Sequence, residues 1–600
     1  MGLSVPVDPA LARSIYNPAG LGFLPPSTPW LTDTLNGLDL YRLGFGMTPT
    51  IYFDPGAAET SSNLGSYQNP YTTLAQLAAR CAGFMGGQVL GIKRGSFVRG
   101  TLALTCYGAS GAPFVIAPYG DALPMPVFSG GTVQTGWTPY AADPRLWQLS
   151  GVAQAVDVFE NGERLFAVTG ASLAAKIAAL QAFIAAPMAG AAGAFALDGA
   201  ALYAWFADGA APTLGQVETA DAANAILISY PDVAATGFVT VAGMAGIMSR
   251  YSAVSLAPAN VVGTNAPAGL QLIACQAGRT GVQLDTTLSA DAFQVYGIDD
   301  AHRVSGLYIA GNYAFDTLNN AYEVAAVSGG TIERNIGWNA GGNSVAEMWA
   351  LCSNLTVQFN RGYNDPLAGQ RLSSSYHNGG VWRTNYSTVT GSASDDAKSG
   401  GNVVRFNYIQ DPGNNGLDVL GGAGDQYYNN TIVGARQGWG NGWYVRGAGA
   451  SGHSLFNNLF VATAPAASFV FFGQIDPGTA APALDHNAYA NLTNPTGSGG
   501  AWRDGASQVY DLPSWRTATG GEANSRATLG DATGAAFGFA AAEFAPLALS
   551  AGYNGATDYT LASSIAQGAG ASIAASGPAC DIDGRAITTP ATPDIGCWQG

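Results

Sequence analysis

Short apolar runs that end on asparagine recur through the second half of the chain, and they constrain its fold more than any other feature. They are "TIERN" (Asn335), "TVQFN" (Asn360), "VWRTN" (Asn385), "VVRFN" (Asn407), "QYYNN" (Asn430) and "SLFNN" (Asn458), at steps of 25, 25, 22, 23 and 28 residues. An internal period of this size signals stacked repeats. Without helical periodicity, one repeat fits one turn of a parallel β-helix, an all-β fold. A lone asparagine is an ordinary turn former. Six at a near-constant period predict a ladder in which each amide satisfies its neighbour's backbone in a buried corner.

Composition agrees. Charged residues are 11% of the chain, against about 25% in ordinary globular proteins, and Gly accounts for 81 of 600 positions. Hydrophobic residues at 48% exclude a disordered chain. No apolar run reaches the ~18 residues of a membrane-spanning helix. A net charge of −16 argues against nucleic acid or an anionic membrane as partner. It leaves a neutral polymer, or an acidic one met by a local basic patch. The six cysteines are scattered without a C-x-x-C pair, which argues against zinc. Cys580 and Cys597 would bridge the last loop or stay as buried thiols.

Five segments follow from the pattern. Residues 1–50 are Pro-rich and read as an arm or attachment segment. Residues 51–150 hold an N-terminal cap and the first coils; "NPYTTLAQLAARCAGFM" (69–85) reads as a capping helix with Asn69 as cap and Pro70 at its first position. Residues 151–250 read as a small inserted α+β subdomain, with an Ala-rich helix at 171–186 and a strand at 200–209. Residues 251–490 form the central helix with the groove, and 491–600 the last coils and closure. The N-terminus shows no charged-then-apolar signal pattern. An extracellular setting is then reached after removal of a signal or by another route, such as a virion tail.

Two stretches carry a resemblance. "NPYTTLAQL…GIKRGSFVRGTLAL…GASGAPFVIAPYG" resembles the cap and first coils of right-handed, single-stranded parallel β-helix proteins of the pectate-lyase-like superfamily, and "DIDGRAITTPATPDIGCWQG" resembles their C-terminal closure. That superfamily includes polysaccharide lyases, glycoside hydrolases and phage tailspike depolymerases, which are typically homotrimers. The resemblance implies architecture and does not choose among these chemistries.

Twelve residues before each asparagine, with one step of slack at Glu347, a column reads Glu323, Glu347, Ser373, Asp395, Asp418, Arg446. Alternation sends Leu417 and Val419 inward and Asp418 out, and Ala346 and Met348 inward with Glu347 and Trp349 out. A one-residue shift at the third acid would expose Asp396 and Lys398 instead of Asp395. Coils stack about 4.8 Å apart, so Asp395 and Asp418 would be neighbours and Glu347 would lie two coils away. Close carboxyls resist joint ionisation, which supplies a general acid beside a general base. Asp395, Asp418, Glu347 and Asp396 are thus the catalytic candidates for glycosidic cleavage. Trp349, Trp439, Trp443 and Tyr444 would stack on sugar rings, with Arg371, Lys398 and Arg446 as polar contacts.

Three functions remain open on these residues. The first is a glycoside hydrolase that depolymerises a bacterial capsular or exopolysaccharide, with no cofactor. The second is a lyase. "DDAKSGGN" resembles the calcium-and-lysine segment of one lyase family, which implies Lys398 as base, Arg446 or Arg371 on the uronate carboxylate, and calcium on the acidic row. The third is a non-catalytic glycan-binding spike.

Overall fold

The computed structural model describes residues 48–529 and 570–573, 582, 587 and 593. Excepted within that span are 60–63, 121–124, 153–155, 189–190, 213–215, 235, 260–263, 285–289, 341–343, 364–380, 387–397, 411–414, 434–440, 448–449, 463–470 and 492–501. Asp395, Asp396, Arg371, Trp439, Cys580 and Cys597 therefore lie outside the described residues, as does nearly all of the 1–50 arm.

Among the described residues, three long sheets of twelve, thirteen and twelve strands run side by side. Each coil gives one short strand to each sheet. Tyr322–Ala325 enters the thirteen-stranded sheet, Val327–Glu333 the second and Ile336–Ala340 the third, before the chain returns to the first at Ala346–Ala350. Tyr322 pairs in parallel with Ala346, and Ile336 with Arg361. Parallel neighbours need a long crossover, and here the other two sheets provide it. The architecture is the all-β parallel β-helix expected from the repeat and the resemblance.

The asparagine ladder lies between the second and third sheets. Asn335 directs its backbone N–H and its Nδ2 to Asn360 Oδ1 at 3.1 and 3.0 Å, and its Nδ2 also donates to Ile309 O at 3.0 Å. The residue before each rung bends left-handed, with φ of 55° at Arg334, 59° at Phe359 and 53° at Phe406. Such backbone costs a non-glycine residue roughly 1–2 kcal/mol, which the buried amide bonds offset. Asn312 and Asn487 extend the series, and Ser525 closes it by accepting from Asn487 N at 2.8 Å.

Asn385 is not a rung. Asn360 bonds directly to Asn407 with both nitrogens at 3.0 Å. Two apparent periods are thus one long coil, with Asn385 inside the strand Val381–Tyr386 of the thirteen-stranded sheet.

Each end is capped by a helix. At the start it is Leu74–Arg80, capped by Thr73 rather than Asn69: Thr73 Oγ1 accepts from Gln76 N and Gln76 Oε1 from Thr73 N. Leu77 enters the core. At the far end "LPSWRTAT" is helical with Asp511 as N-cap. Trp515 from that helix packs 6.2 Å from Trp443 in the same core.

Two small sheets and the helix Leu173–Ala185 stand outside the three long sheets, built from residues between Gly131 and Ala220. Val239–Ala242, Ala245–Ser249 and Ser252–Pro258 belong to the long sheets. The insertion docks through Arg164, which pairs with buried Asp157 and donates to Thr280 O and Asp316 O at 2.9 and 3.0 Å.

Candidate active site

The register of the thirteen-stranded sheet defines one column of paired backbone positions. It runs Ser255, Gln294, Glu323, Glu347, Trp382, Asp418, Tyr444, Gln474, Arg503. The flanking columns face the core through Val324, Met348, Val419 and Val445 on one side and Tyr322, Ala346, Leu417 and Trp443 on the other. Alternation therefore places Glu323, Glu347 and Asp418 on the outer surface. They are nonetheless only 3%, 2% and 5% exposed.

This register corrects three expectations. The position beside Asp418 in the preceding coil belongs to Trp382, not Asp395, because the long coil shifts the count by a whole strand. Arg446 is paired in register with Leu420, and the column position is Tyr444. Trp443 is an inward residue, fully buried, and its indole fills space left by Gly473, where a Cβ would come within 2.1 Å of the ring. It does not face the groove.

A second polar corner, at the entry to this sheet, organises the column. Asp291, Asn320, Ser344, Asn415 and Asn441 each precede a column residue by three positions: Gln294, Glu323, Glu347, Asp418 and Tyr444. Asn320 N donates to Asp291 Oδ1 at 3.1 Å, and Ser344 N to Asn320 Oδ1 at 3.0 Å. Asn441 N in turn donates to Asn415 Oδ1 at 2.9 Å. Sequence reading missed this corner because its residues vary in type. The constant offset of three from a charged or polar strand residue was the available signal.

Asn320 is its centre. Its Nδ2 lies 3.0 Å from Asp291 Oδ1, 2.7 Å from Glu323 Oε2 and 2.6 Å from Glu347 Oε2. Tyr296, also missed, donates its hydroxyl to Glu323 Oε1. Trp349 is the extra residue of a bulge, since Val324 pairs with Met348 while the next residue, Ala325, pairs with Ala350. Bulges re-aim side chains beside functional sites, and the Trp349 ring lies 5.7 Å from that of Tyr296. An acid pair with two aromatic rings beside it is an arrangement suited to a sugar.

Two coils further on, Arg446 donates from Nε to Asp418 Oδ1 at 3.0 Å and from Nη2 to Oδ2 at 3.1 Å, and Asn415 Nδ2 adds a bond to Oδ2 at 2.6 Å. Burial pushes the Asp418 carboxyl above its ordinary value; Arg446 and Asn415 oppose that push and Asp476 adds to it. Tyr444 donates its hydroxyl to Asp476 Oδ1 at 2.5 Å, and burial first, then Asp476, raises the phenol. Lys398 Nζ lies 3.5 Å from Asp300 Oδ2. His453 is a buried corner residue whose Nδ1 accepts from Asp425 N at 3.2 Å. Among the described residues no group of three or more His, Cys, Asp or Glu side chains is arranged to hold a metal ion.

No family model matches the chain, and no curated protein matches its sequence. Among solved structures, it is similar to the native lacto-N-biosidase of family GH136 from Eubacterium ramulus at 12% identity and a TM-score of 0.45, covering 80% of this chain and 68% of that one. The complex of XylC with xylose gives 12% identity and a TM-score of 0.42, covering 73% and 75%. The pectate lyase Pel9A gives 11% and 0.41, covering 92% and 97%.

Proposed function

We propose that the protein is a polysaccharide-cleaving enzyme, a glycoside hydrolase whose two catalytic carboxyls, one acid/base and one nucleophile, are Glu323 and Glu347. One observation carries this reading: two outward carboxylates on adjacent coils lie within hydrogen-bond reach of a single amide nitrogen. That nitrogen has two hydrogens and three carboxylate oxygens around it. The bonding balances when one carboxyl carries a proton, which leaves a general acid beside an ionised partner.

The two glutamate oxygens are no farther apart than the sum of their distances to Asn320 Nδ2. That limit suits the ~5–5.5 Å of a retaining mechanism better than the ~6.5–9.5 Å of an inverting one. The protonated carboxyl gives its proton to the glycosidic oxygen as that bond breaks. The ionised carboxylate bonds to the anomeric carbon, and water, deprotonated by the first residue, then releases the sugar. Tyr296 holds Glu323 in place, the Trp349 ring offers a stacking face, and Asp418 with Arg446 would contact the polymer further along the column.

The substrate proposed is a bacterial capsular or extracellular polysaccharide, met outside the cell or at a virion tail, with a homotrimer as the assembly in the latter case. The lyase alternative asks Lys398 to act as base; its Nζ lies 3.5 Å from Asp300 Oδ2. Incubation with candidate polysaccharides tests the reading. Hydrolysis releases reducing ends without the ultraviolet absorbance of an unsaturated uronate; a lyase produces that absorbance. Polymer bound but never shortened would make the protein a glycan binder.

A further inference from the structure

The two asparagine corners use their amides differently. In the ladder between the second and third sheets, each Nδ2 donates to the next rung and to a backbone carbonyl, as Asn407 does to Asn430 Oδ1 and Val357 O at 3.0 and 2.9 Å. Those amides hold only the coil. At the corner before the thirteen-stranded sheet, Oδ1 of Asn320 and Asn415 still closes the turn, but their Nδ2 reaches the column residue three positions on, whereas Asn441 Nδ2 returns to Asn415 Oδ1 at 3.0 Å. Asn320 does so to Glu323 at 2.7 Å, and Asn415 to Asp418 at 2.6 Å, three coils apart. Asn320 also crosses one coil to Glu347 at 2.6 Å. The same contact appears twice at the same offset, once outside the glutamate pair.

We infer that Asn320 is a positioning residue for the reaction proposed above, and that Asn415 plays the same part for Asp418. Its Oδ1 is fixed by Ser344 N and Oγ at 3.0 and 2.9 Å, so the amide cannot rotate away from the acids. Its Nδ2 sets the spacing of Glu323 and Glu347 and favours the ionised form of whichever one it bonds more strongly, since donation to a carboxylate stabilises the charge. The backbone register brings the acids to adjacent coils, and this side chain fixes their orientation. The inference rests on the hydrolase reading, and its test separates the two.

The matched variants are Asn320→Ser and Asn335→Ser. Serine is already native to both corners, at Ser344 in one and Ser525 in the other. In glutamate-labelled protein, carbon-13 titration reads the carboxyl midpoints of Glu323 and Glu347 without any substrate. Asn320→Ser moves both midpoints by about one pH unit, and Asn335→Ser moves neither while lowering thermal stability. On substrate, Asn320→Ser lowers kcat by about tenfold or more, shifts the pH–rate limbs in parallel and leaves KM within about twofold. Midpoints in Asn320→Ser that superimpose on those of the unsubstituted protein overturn the inference, and so do equal movements in both variants. If Asn320→Ser does not fold, Asn320→Asp, which keeps the Oδ1 acceptor, takes its place under the same criteria. A protein that cleaves no polysaccharide yet shows the expected midpoints loses the hydrolase reading and keeps the shared-amide assignment.

Discussion

Arg446 grips Asp418 with two nitrogens although the two residues do not share a register position; Arg446 lies beside Leu420, and its guanidinium reaches back to the carboxylate. Asp418 is 5% exposed, so its carboxylate is held away from water while the Arg446 side chain is partly exposed. Removing one partner strands a buried charge, which costs far more than the pair contributes.

Arg446→Met should therefore destabilise the protein by about 3 kcal/mol in urea unfolding near neutral pH. The loss should shrink in acid. Burial already raises the folded-state value of Asp418, and without Arg446 it rises further. A carboxyl held above its unfolded value keeps its proton longer when folded, so the variant's stability falls as pH rises through that window. Unfolding at pH 5 and pH 8 would show it. Equal losses at the two pH values would mean that the charge is not what Arg446 supports.

Glu347→Gln and Glu323→Gln keep the shape of the site and remove one ionisable carboxyl each. Each should reduce kcat on a cleavable polysaccharide by about a thousandfold or more, with KM nearly unchanged. The double variant should be little slower than either single one, because the two act as a unit. Reducing-end release with circular dichroism as a folding control makes the measurement. Two singles that retain more than a tenth of the rate would remove the pair from the chemistry.

The period in the sequence was enough for the helix, because rungs such as Asn335, Asn360 and Asn430 each follow a short apolar run. It was not enough for the register. "VWRTN" copies the same local signature, yet its asparagine sits in a strand of another sheet, and the coil from Asn360 to Asn407 is twice the usual length. A local pattern cannot tell two coils from one long one. The Asp395 position was counted through that error, whereas Glu347 and Asp418, counted in coils of ordinary length, fall on the column. Trp443 shows a second limit. Its neighbours Tyr444 and Gly442 leave its direction open in sequence, and only the pairing with Leu417 and Gly473 turns it inward.

The same contrast gives a stability prediction. Asn407→Ala deletes an oxygen that accepts two bonds from Asn360 and a nitrogen that donates to Val357 O and Asn430 Oδ1. The buried backbone groups left without partners should cost about 3 kcal/mol or more. Asn385→Ala should cost much less, since the ladder closes without it. Denaturant midpoints of the two variants decide between a true rung and a sequence copy, and equal losses would restore Asn385 to the ladder.

Glu160 offers a pH test away from the groove. It ends the insertion strand Val158–Glu160, opposite Glu163 in a tight hairpin, and is 6% exposed. Burial, then the charge of Asp208, raises its carboxyl from 4.5 to about 7. Between those values the folded protein keeps a proton that the unfolded chain releases, so this residue makes stability fall as pH rises across the window. Below the window both states are protonated and the penalty is absent; above it the penalty is complete and constant. Glu160→Gln removes the titration. The variant should match the unsubstituted protein in Tm near pH 4 and exceed it by a few degrees, on the order of 2–4 °C, at pH 8, with the gap opening between the two carboxyl values. A gap that is already present at pH 4, or one that never opens, would mean that Glu160 is ionised in both states and carries no burial penalty.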